Sequence, residues 1–343
     1  MSTSPTRMRP LAASICAAIL TMGSVAFAQT TVATVPVGYM TYSLEQGKTT
    51  PVGISLSESN VYTGPAATVG TNTLSAAGVT WTANQFATPG APHFVNIMAG
   101  AQVGRTLLIT GNTANTITVA EGDTALNATG FAVAAGDRFE VVPGDTLATL
   151  FGGTAETLAL HGAATRAEAD VIEIYNGATF APYWFNTTVG TWVAGDSTAN
   201  ANNTVLHPWQ GLMITRRGAN TSFVVTGRVP STTLMTKLPS GTSNVVAVRF
   251  PTDSTLGGLN FAGGTWLQGA SAFRADTVSL WNGTKWVSYW QKTDGNWYQS
   301  GGDAEIKNAT PIPAGTVISV QKRGTVASGS GTFFSQALPY SLN

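Results

Sequence analysis

Residues able to do chemistry are few in this 343-residue chain. Its three histidines, His93, His161 and His207, fall in no HxH or HExxH spacing. A zinc site would need all three to converge from distant segments, because zinc takes three or four nitrogen or sulfur ligands. Satisfied or surface histidines are the simpler reading. No GxSxG elbow offers an activated serine, and no phosphate-cradling glycine pattern lies between a strand and a helix. Gly329-Ser330-Gly331 reads as a flexible loop. The sequence therefore assigns no catalytic residue, no metal site and no cofactor.

The carboxylates are more regular. Asp170 and Asp276 each follow an alanine at the start of a β-rich run. A glycosidase needs two carboxyls about 5–10 Å apart, whereas these two belong to successive copies of a repeat. They are expected to cap turns through their own backbone. Asp123, Asp137, Asp145, Asp294 and Asp303 adjoin glycines without forming a DxDxDG calcium loop.

Aromatic residues carry the most information. Eight of the nine tryptophans lie between Trp184 and Trp297. Trp and Tyr faces stack on sugar rings, with Asn, Thr and Gln hydrogen-bonding at the rim. Trp209, Trp266 and Trp286 are the expected exposed platform. Trp184 and Trp290 recur at matched positions; that favours a core role over a ligand platform for the pair, since a repeated fold repeats its core. Tyr183 and Tyr289, which recur beside them, join the ligand-binding candidates. Arg216-Arg217 and Lys322-Arg323 are expected to be solvated strand ends.

The elements that must hold these residues are strands. Helical periodicity is confined to one weak stretch, Thr154 to Ala169, which Gly162 interrupts. Elsewhere short β-branched runs end at Gly, Asn, Asp or Pro. ADVIEIYNGATFAPYWFNTTVGT, from Ala169, matches ADTVSLWNGTKWVSYWQKTDGNW, from Ala275, at a spacing of 106 residues. Asn176-Gly177 and Asn282-Gly283 predict hairpins with type I′ turns, and Asp294-Gly295 predicts another. Along the middle strand of the second copy, Trp286, Ser288 and Trp290 share one face; Val287 and Tyr289 share the other. A fainter echo links VPVGYMTYSL (Val35 to Leu44) with VPSTTLMTKL (Val229 to Leu238). The expected fold is all-β: tandem sandwich or small-barrel units at 145–250 and 251–343, behind an N-terminal β region at 29–144.

Residues 1–28 read as an export signal. Arg7 and Arg9 precede an apolar run, Leu11 to Leu20, and Ala26-Phe27-Ala28 forms a small-x-small cleavage site. The only cysteine, Cys16, lies inside it, and Ile15 disfavours a lipoprotein attachment. The mature chain would then carry no thiol. Loss of Arg7 and Arg9 turns the balance of 17 basic and 17 acidic residues slightly negative. Without basic runs, nucleic-acid binding is not expected, nor is a membrane-spanning segment after cleavage.

VPVGYMTYSL, GRTLLITGNTANTITV, AGDRFEVVPGDTLATLFGG and the ADxxxxxNG…YW…W pattern together resemble a paralogous family of secreted proteins best known from verrucomicrobial genomes. The likeness would cover nearly the whole mature chain. It implies secretion and a β-rich build, and brings no activity or catalytic residues with it. Some relatives end in a sorting segment, which SQALPYSLN does not resemble, so anchoring by that route is not implied.

The leading expectation is a secreted, non-enzymatic cell-surface or envelope protein working by structure or adhesion, with polysaccharide or envelope components as partners. Carbohydrate binding through exposed Trp and Tyr is the second expectation, and a glycan-degrading enzyme the third. With few charged gatekeepers, exposed strand edges are expected to let the chain associate with itself.

Overall fold

The computed structural model describes residues 36–120, 124–259, 266–302, 305–323 and 333–342. Residues 1–28, expected to be an export signal, and Asp123, Asp303 and residues 329–331 lie outside them.

The described chain is nearly all β. It opens with β1 (Val37–Leu44) and β2 (Thr49–Val52). Next come β3 (Tyr62–Pro65), β4 (Thr68–Val69), β5 (Thr73–Ser75), β6 (Ala87–Thr88), β7 (Ala91–Ile97), β8 (Thr106–Asn112), β9 (Thr116–Val119) and β10 (Arg138–Pro143). The middle segment gives β11 (Asp145–Thr146), α1 (Leu147–Phe151), β12 (Val171–Tyr175), β13 (Phe180–Asn186), β14 (Thr191–Ala194), β15 (Val205–Leu206), β16 (Leu212–Thr215) and β17 (Thr221–Arg228). The middle segment ends with β18 (Leu234–Lys237) and β19 (Ser243–Ala247), and the last gives β20 (Ser254–Thr255), β21 (Thr277–Trp281), β22 (Trp286–Gln291), β23 (Trp297–Gln299), β24 (Pro311–Ile312), β25 (Val317–Gln321) and β26 (Phe333–Gln336).

The segments read as copies form two five-stranded sheets, ordered β14-β13-β12-β16-β2 and β23-β22-β21-β25-β19. Beside them run two-stranded ribbons, β1-β17 and β18-β26. Strand pairing thus crosses both boundaries drawn from the sequence. β1 and β2 pair with β17 and β16 of the middle segment, and β19 pairs with β25 of the last. Strands β3–β10 make a separate eight-stranded sheet between β2 and β11.

Each sheet buries its own core. Leu44, Val52, Phe151, Ile172, Phe185, Trp192 and Ile214 fill the first. Leu74, Phe86, Val95, Ile109, Ile117 and Phe139 fill the core of the eight-stranded sheet. Val278, Tyr289, Trp297, Ile312 and Phe334 fill the third. Period-two alternation produces this. In β1, Tyr42 and Leu44 point inward while Tyr39, Thr41 and Ser43 face solvent.

Two local expectations differ from the structure. Thr154 to Ala169 forms turns, and the helix lies just upstream at Leu147–Phe151. There the Thr146 hydroxyl accepts the Thr149 N–H, and the Thr149 hydroxyl accepts the Thr146 N–H. Gly162 sits where a Cβ would come 2.9 Å from the Phe185 ring, so close packing rather than helix propensity decides that stretch.

The Asn-Gly hairpins form, but not with type I′ turns. Gly177 has φ 96° and Gly283 φ 99°, while neither Asn176 nor Asn282 has a positive φ. Tyr175 pairs with Phe180, leaving a four-residue loop in which Asn176 Oδ1 accepts the Ala178 and Thr179 N–H groups. Asn282 does the same for Thr284 and Lys285. The asparagines act through their side chains.

Candidate functional site

Asp170 and Asp276 do not cap their own turns. Asp170 Oδ1 accepts the Arg217 N–H at 2.6 Å and the Gly218 N–H at 3.2 Å, Oδ2 accepts the His161 N–H at 2.7 Å, and the Arg216 guanidinium completes the shell. Asp276 takes the Leu267 and Arg323 N–H groups at 2.8 and 2.7 Å, together with the Lys322 ammonium. Arg216 and Lys322 are therefore buried, not solvated strand ends; the exposed members of each basic pair are Arg217 and Arg323. A buried carboxylate at the start of one strand requires a cation at the end of its neighbour.

The seven aromatic candidates are not brought into one site. Trp184 is buried, its Nε1–H donating to the Gly195 carbonyl at 2.7 Å, and Tyr289 is buried in the third core. Tyr183 is half-buried against the first core. Trp266, expected to be exposed, packs against the third core, 5.7 Å from Trp297 and 6.0 Å from Phe334. Trp209 is half-buried beside His207, centroids 4.7 Å apart. It borders a groove of about 200 Å³ shared with Leu107, Met235 and Phe333. Trp286 meets Trp281 edge-on at 5.5 Å, and Trp290 meets Tyr298 at 5.7 Å, both pairs on the sheet face turned away from the third core, where Trp281 Nε1 also donates to the Thr49 carbonyl at 3.0 Å.

Polar chemistry gathers instead where the eight-stranded sheet meets the two segments around it. Glu140 of β10 lies opposite Asn96 of β7, and Asn96 lies opposite Thr106 of β8. That row is hydrogen-bonded end to end. Thr106 Oγ1 donates to Asn96 Oδ1 at 2.8 Å, and Asn96 Nδ2 donates to Glu140 Oε1 at 3.0 Å. Arg228, at the end of β17, donates through Nη2 to Glu140 Oε2 at 2.9 Å. Arg249, two residues past β19, donates through Nη2 to Thr106 Oγ1 at 3.0 Å. The row thus holds two arginines and one carboxylate, and only Arg228 is bonded to that carboxylate.

Two adjoining cavities open on this row. The larger, about 230 Å³, is lined by Glu58, Asp145, His207, Val224, Thr226 and Arg249 among others. The smaller, about 60 Å³, is lined by Ser57, Asn96, Glu140, Arg228, Ser231 and Arg249 among others. Ile54, Leu56, Ser57, Asn96, Pro208 and Arg249 line both.

Burial raises the Asp145 carboxyl above the usual carboxylate range; the Thr149 hydroxyl, 3.1 Å away, opposes this and the Glu58 charge adds to it. Burial alone holds His207 below the ordinary imidazole value. The Arg249 guanidinium is pushed down to about 10 by burial, and remains charged at neutral pH. The cleft therefore brings together a carboxyl raised by burial, an imidazole lowered by burial and a buried guanidinium.

Sequence reasoning singled out Asp145 and His207 only to set them aside, and missed Glu58, Glu140, Arg228 and Arg249. No local signal could reveal them, because they meet only through tertiary packing.

No family model matches the chain, and no curated protein is similar to it. Among solved structures, the cryo-EM structure of arabinofuranosyltransferase AftD from Mycobacteria aligns at a TM-score of 0.09 and 9% identity. The alignment covers 84% of this chain and 26% of that one. A likeness of that degree carries no argument about fold or function.

Proposed function

We propose that this chain is a secreted, non-enzymatic protein of the cell surface or envelope that works by structure and adhesion. The observation that carries the reading is the β1-β17 ribbon. Tyr39 lies opposite Thr226, Thr41 opposite Val224 and Ser43 opposite Ser222, and all six residues face solvent. Tyr39 is 75% exposed and Val224 57%. A contiguous uncharged face with exposed apolar groups marks a contact surface better than scattered apolar residues do. The face also leads into the cleft, whose walls include Val224 and Thr226.

The test is a double charge insertion, Tyr39→Lys with Val224→Lys, made on outward-facing side chains. Adhesion to isolated envelope polysaccharide, or self-association by sedimentation, should weaken at least tenfold, about 1.4 kcal/mol. Undiminished binding by a folded double variant would remove the ribbon from the reading.

A second reading, carbohydrate binding, is supported by the half-buried Trp286 and Trp290, which share the face of the last sheet turned away from its core. A bound polysaccharide should then protect tryptophan emission from acrylamide quenching, and Trp286→Ala with Trp290→Ala should abolish that protection while leaving ribbon-dependent adhesion intact.

A further inference from the structure

We propose that Arg228 and Arg249 form a subsite for a carboxylate carried by a ligand entering the cleft between the eight-stranded sheet and its neighbours. It gives the surface proposed above a ligand class, and only that extension rests on the adhesive reading.

The charge balance comes first. Along the row Arg249–Thr106–Asn96–Glu140–Arg228 there are two guanidinium groups and one carboxylate. Arg228 is 8% exposed, Arg249 7% and Glu140 5%. Glu140 is committed to Arg228 and Asn96. Among the described residues Arg249 has no carboxylate partner; its other hydrogen bond goes to the Met235 carbonyl at 3.4 Å. A buried charge with no counter-charge costs several kcal/mol, so a fold that retains one either carries a standing penalty or gains from an anion bound there.

Unused donors point the same way. Nε and Nη1 of Arg228 are buried and have no hydrogen-bond partner among the described residues. An unsatisfied buried donor costs about 1–3 kcal/mol. These nitrogens belong to a side chain lining the smaller cavity, where Ser57, Ser231 and Thr232 add hydroxyls. That chamber has room for a carboxylate head, and the adjoining one, about 230 Å³, for the body bearing it.

Geometry selects the ligand class. A guanidinium is a planar fork matched to the two oxygens of a carboxylate. The hydroxyls suit a polyhydroxylated body, so a uronic acid is the type of ligand expected. Glu58 and Asp145 line the larger chamber and not the smaller one, so they face the body of such a ligand.

The experiment uses the full chain, titrated by calorimetry with sodium glucuronate, sodium acetate, glucose and sodium chloride at constant ionic strength. Saturable glucuronate binding, without glucose or chloride binding, is expected, and Arg249→Gln should weaken it at least tenfold. Arg249→Gln leaves the Glu140–Arg228 pair intact. Should it fail to fold, Arg249→Lys keeps the charge but loses the fork, and should still weaken glucuronate at least fivefold.

Acetate binding as tight as glucuronate, with no retention on a polygalacturonate column, would assign the subsite to small free carboxylates. Retention on the column would assign it to a polymer-borne uronate. No carboxylate binding at tens of millimolar, equal competition by chloride, or an affinity unchanged in Arg249→Gln would each overturn the proposal. None of these readouts measures adhesion or self-association, so failure of the subsite and failure of the adhesive reading are told apart.

Discussion

The Asp276 carboxylate meets the Lys322 ammonium where the two side chains are 0% and 1% exposed. Asp170 and Arg216 stand in the same relation, the partners in each pair 46 residues apart. Both pairs tie the start of a meander to the end of the strand beside it, β12 to β16 and β21 to β25. Lys322 also lies 4.9 Å from the Trp266 and Phe334 rings, so the ion pair sits at the wall of the third core.

Removing one partner of such a pair strands the other charge. Asp276→Ala should therefore destabilise the fold by about 3–5 kcal/mol, read as a lower urea midpoint. Lys322→Arg should keep most of the stability, because arginine already fills this role beside Asp170. A wild-type midpoint for Asp276→Ala would refute a stabilising role for the pair.

Tryptophan fluorescence should show a buried population beside half-buried side chains. Trp192 is closed to solvent and donates through Nε1 to the Gly152 carbonyl at 2.7 Å; Trp184 and Trp297 are also buried. Emission should be blue-shifted, with a large fraction resistant to acrylamide. Trp192→Ala should cost about 3–5 kcal/mol through the cavity it leaves. Wholly quenchable emission from folded protein would contradict this packing.

Why some features were legible in the sequence follows from these residues. Period-two alternation sorted Trp286 and Trp290 onto one face of β22 and Val287 and Tyr289 onto the other, but not which face is buried. Trp290 was expected in the core, and it is Tyr289 that lies there while Trp290 is half-buried on the opposite face. Asn176 and Asn282 marked hairpins correctly, though composition does not say whether an asparagine turns the chain by its backbone or its side chain.

The burial of Arg216 and Lys322 was not legible, because a basic residue before a glycine looks the same solvated or paired. Trp266 misled for a related reason: lacking a counterpart in the first copy, it looked free, yet it covers the third core. The cleft was least legible of all. Glu140, Asn96 and Thr106 are neighbours only through strand register, and Arg228 and Arg249 reach them from separate segments.

The cleft also sets a pH dependence. His207 is held below its ordinary value by burial, and its Nδ1 is buried with no hydrogen-bond partner among the described residues. Its unfolded pKa is about 6.5. Above that the imidazole is neutral in both states and its contribution is complete. Below it the unfolded chain binds a proton that the folded chain resists, so stability falls as pH drops toward the folded value.

Asp145 acts oppositely, since its folded pKa is raised. Its contribution is whole below the unfolded carboxylate value, about 3.9, and is lost as pH rises through the folded one. The limb beginning near neutrality therefore belongs to the imidazoles. His93, also lowered by burial and only half-buried, shares it. Thermal midpoints measured from pH 7.5 to pH 5 should decline for the wild type, and His207→Gln should flatten that decline. An equal slope in the variant would show that His207 carries no part of the acid sensitivity.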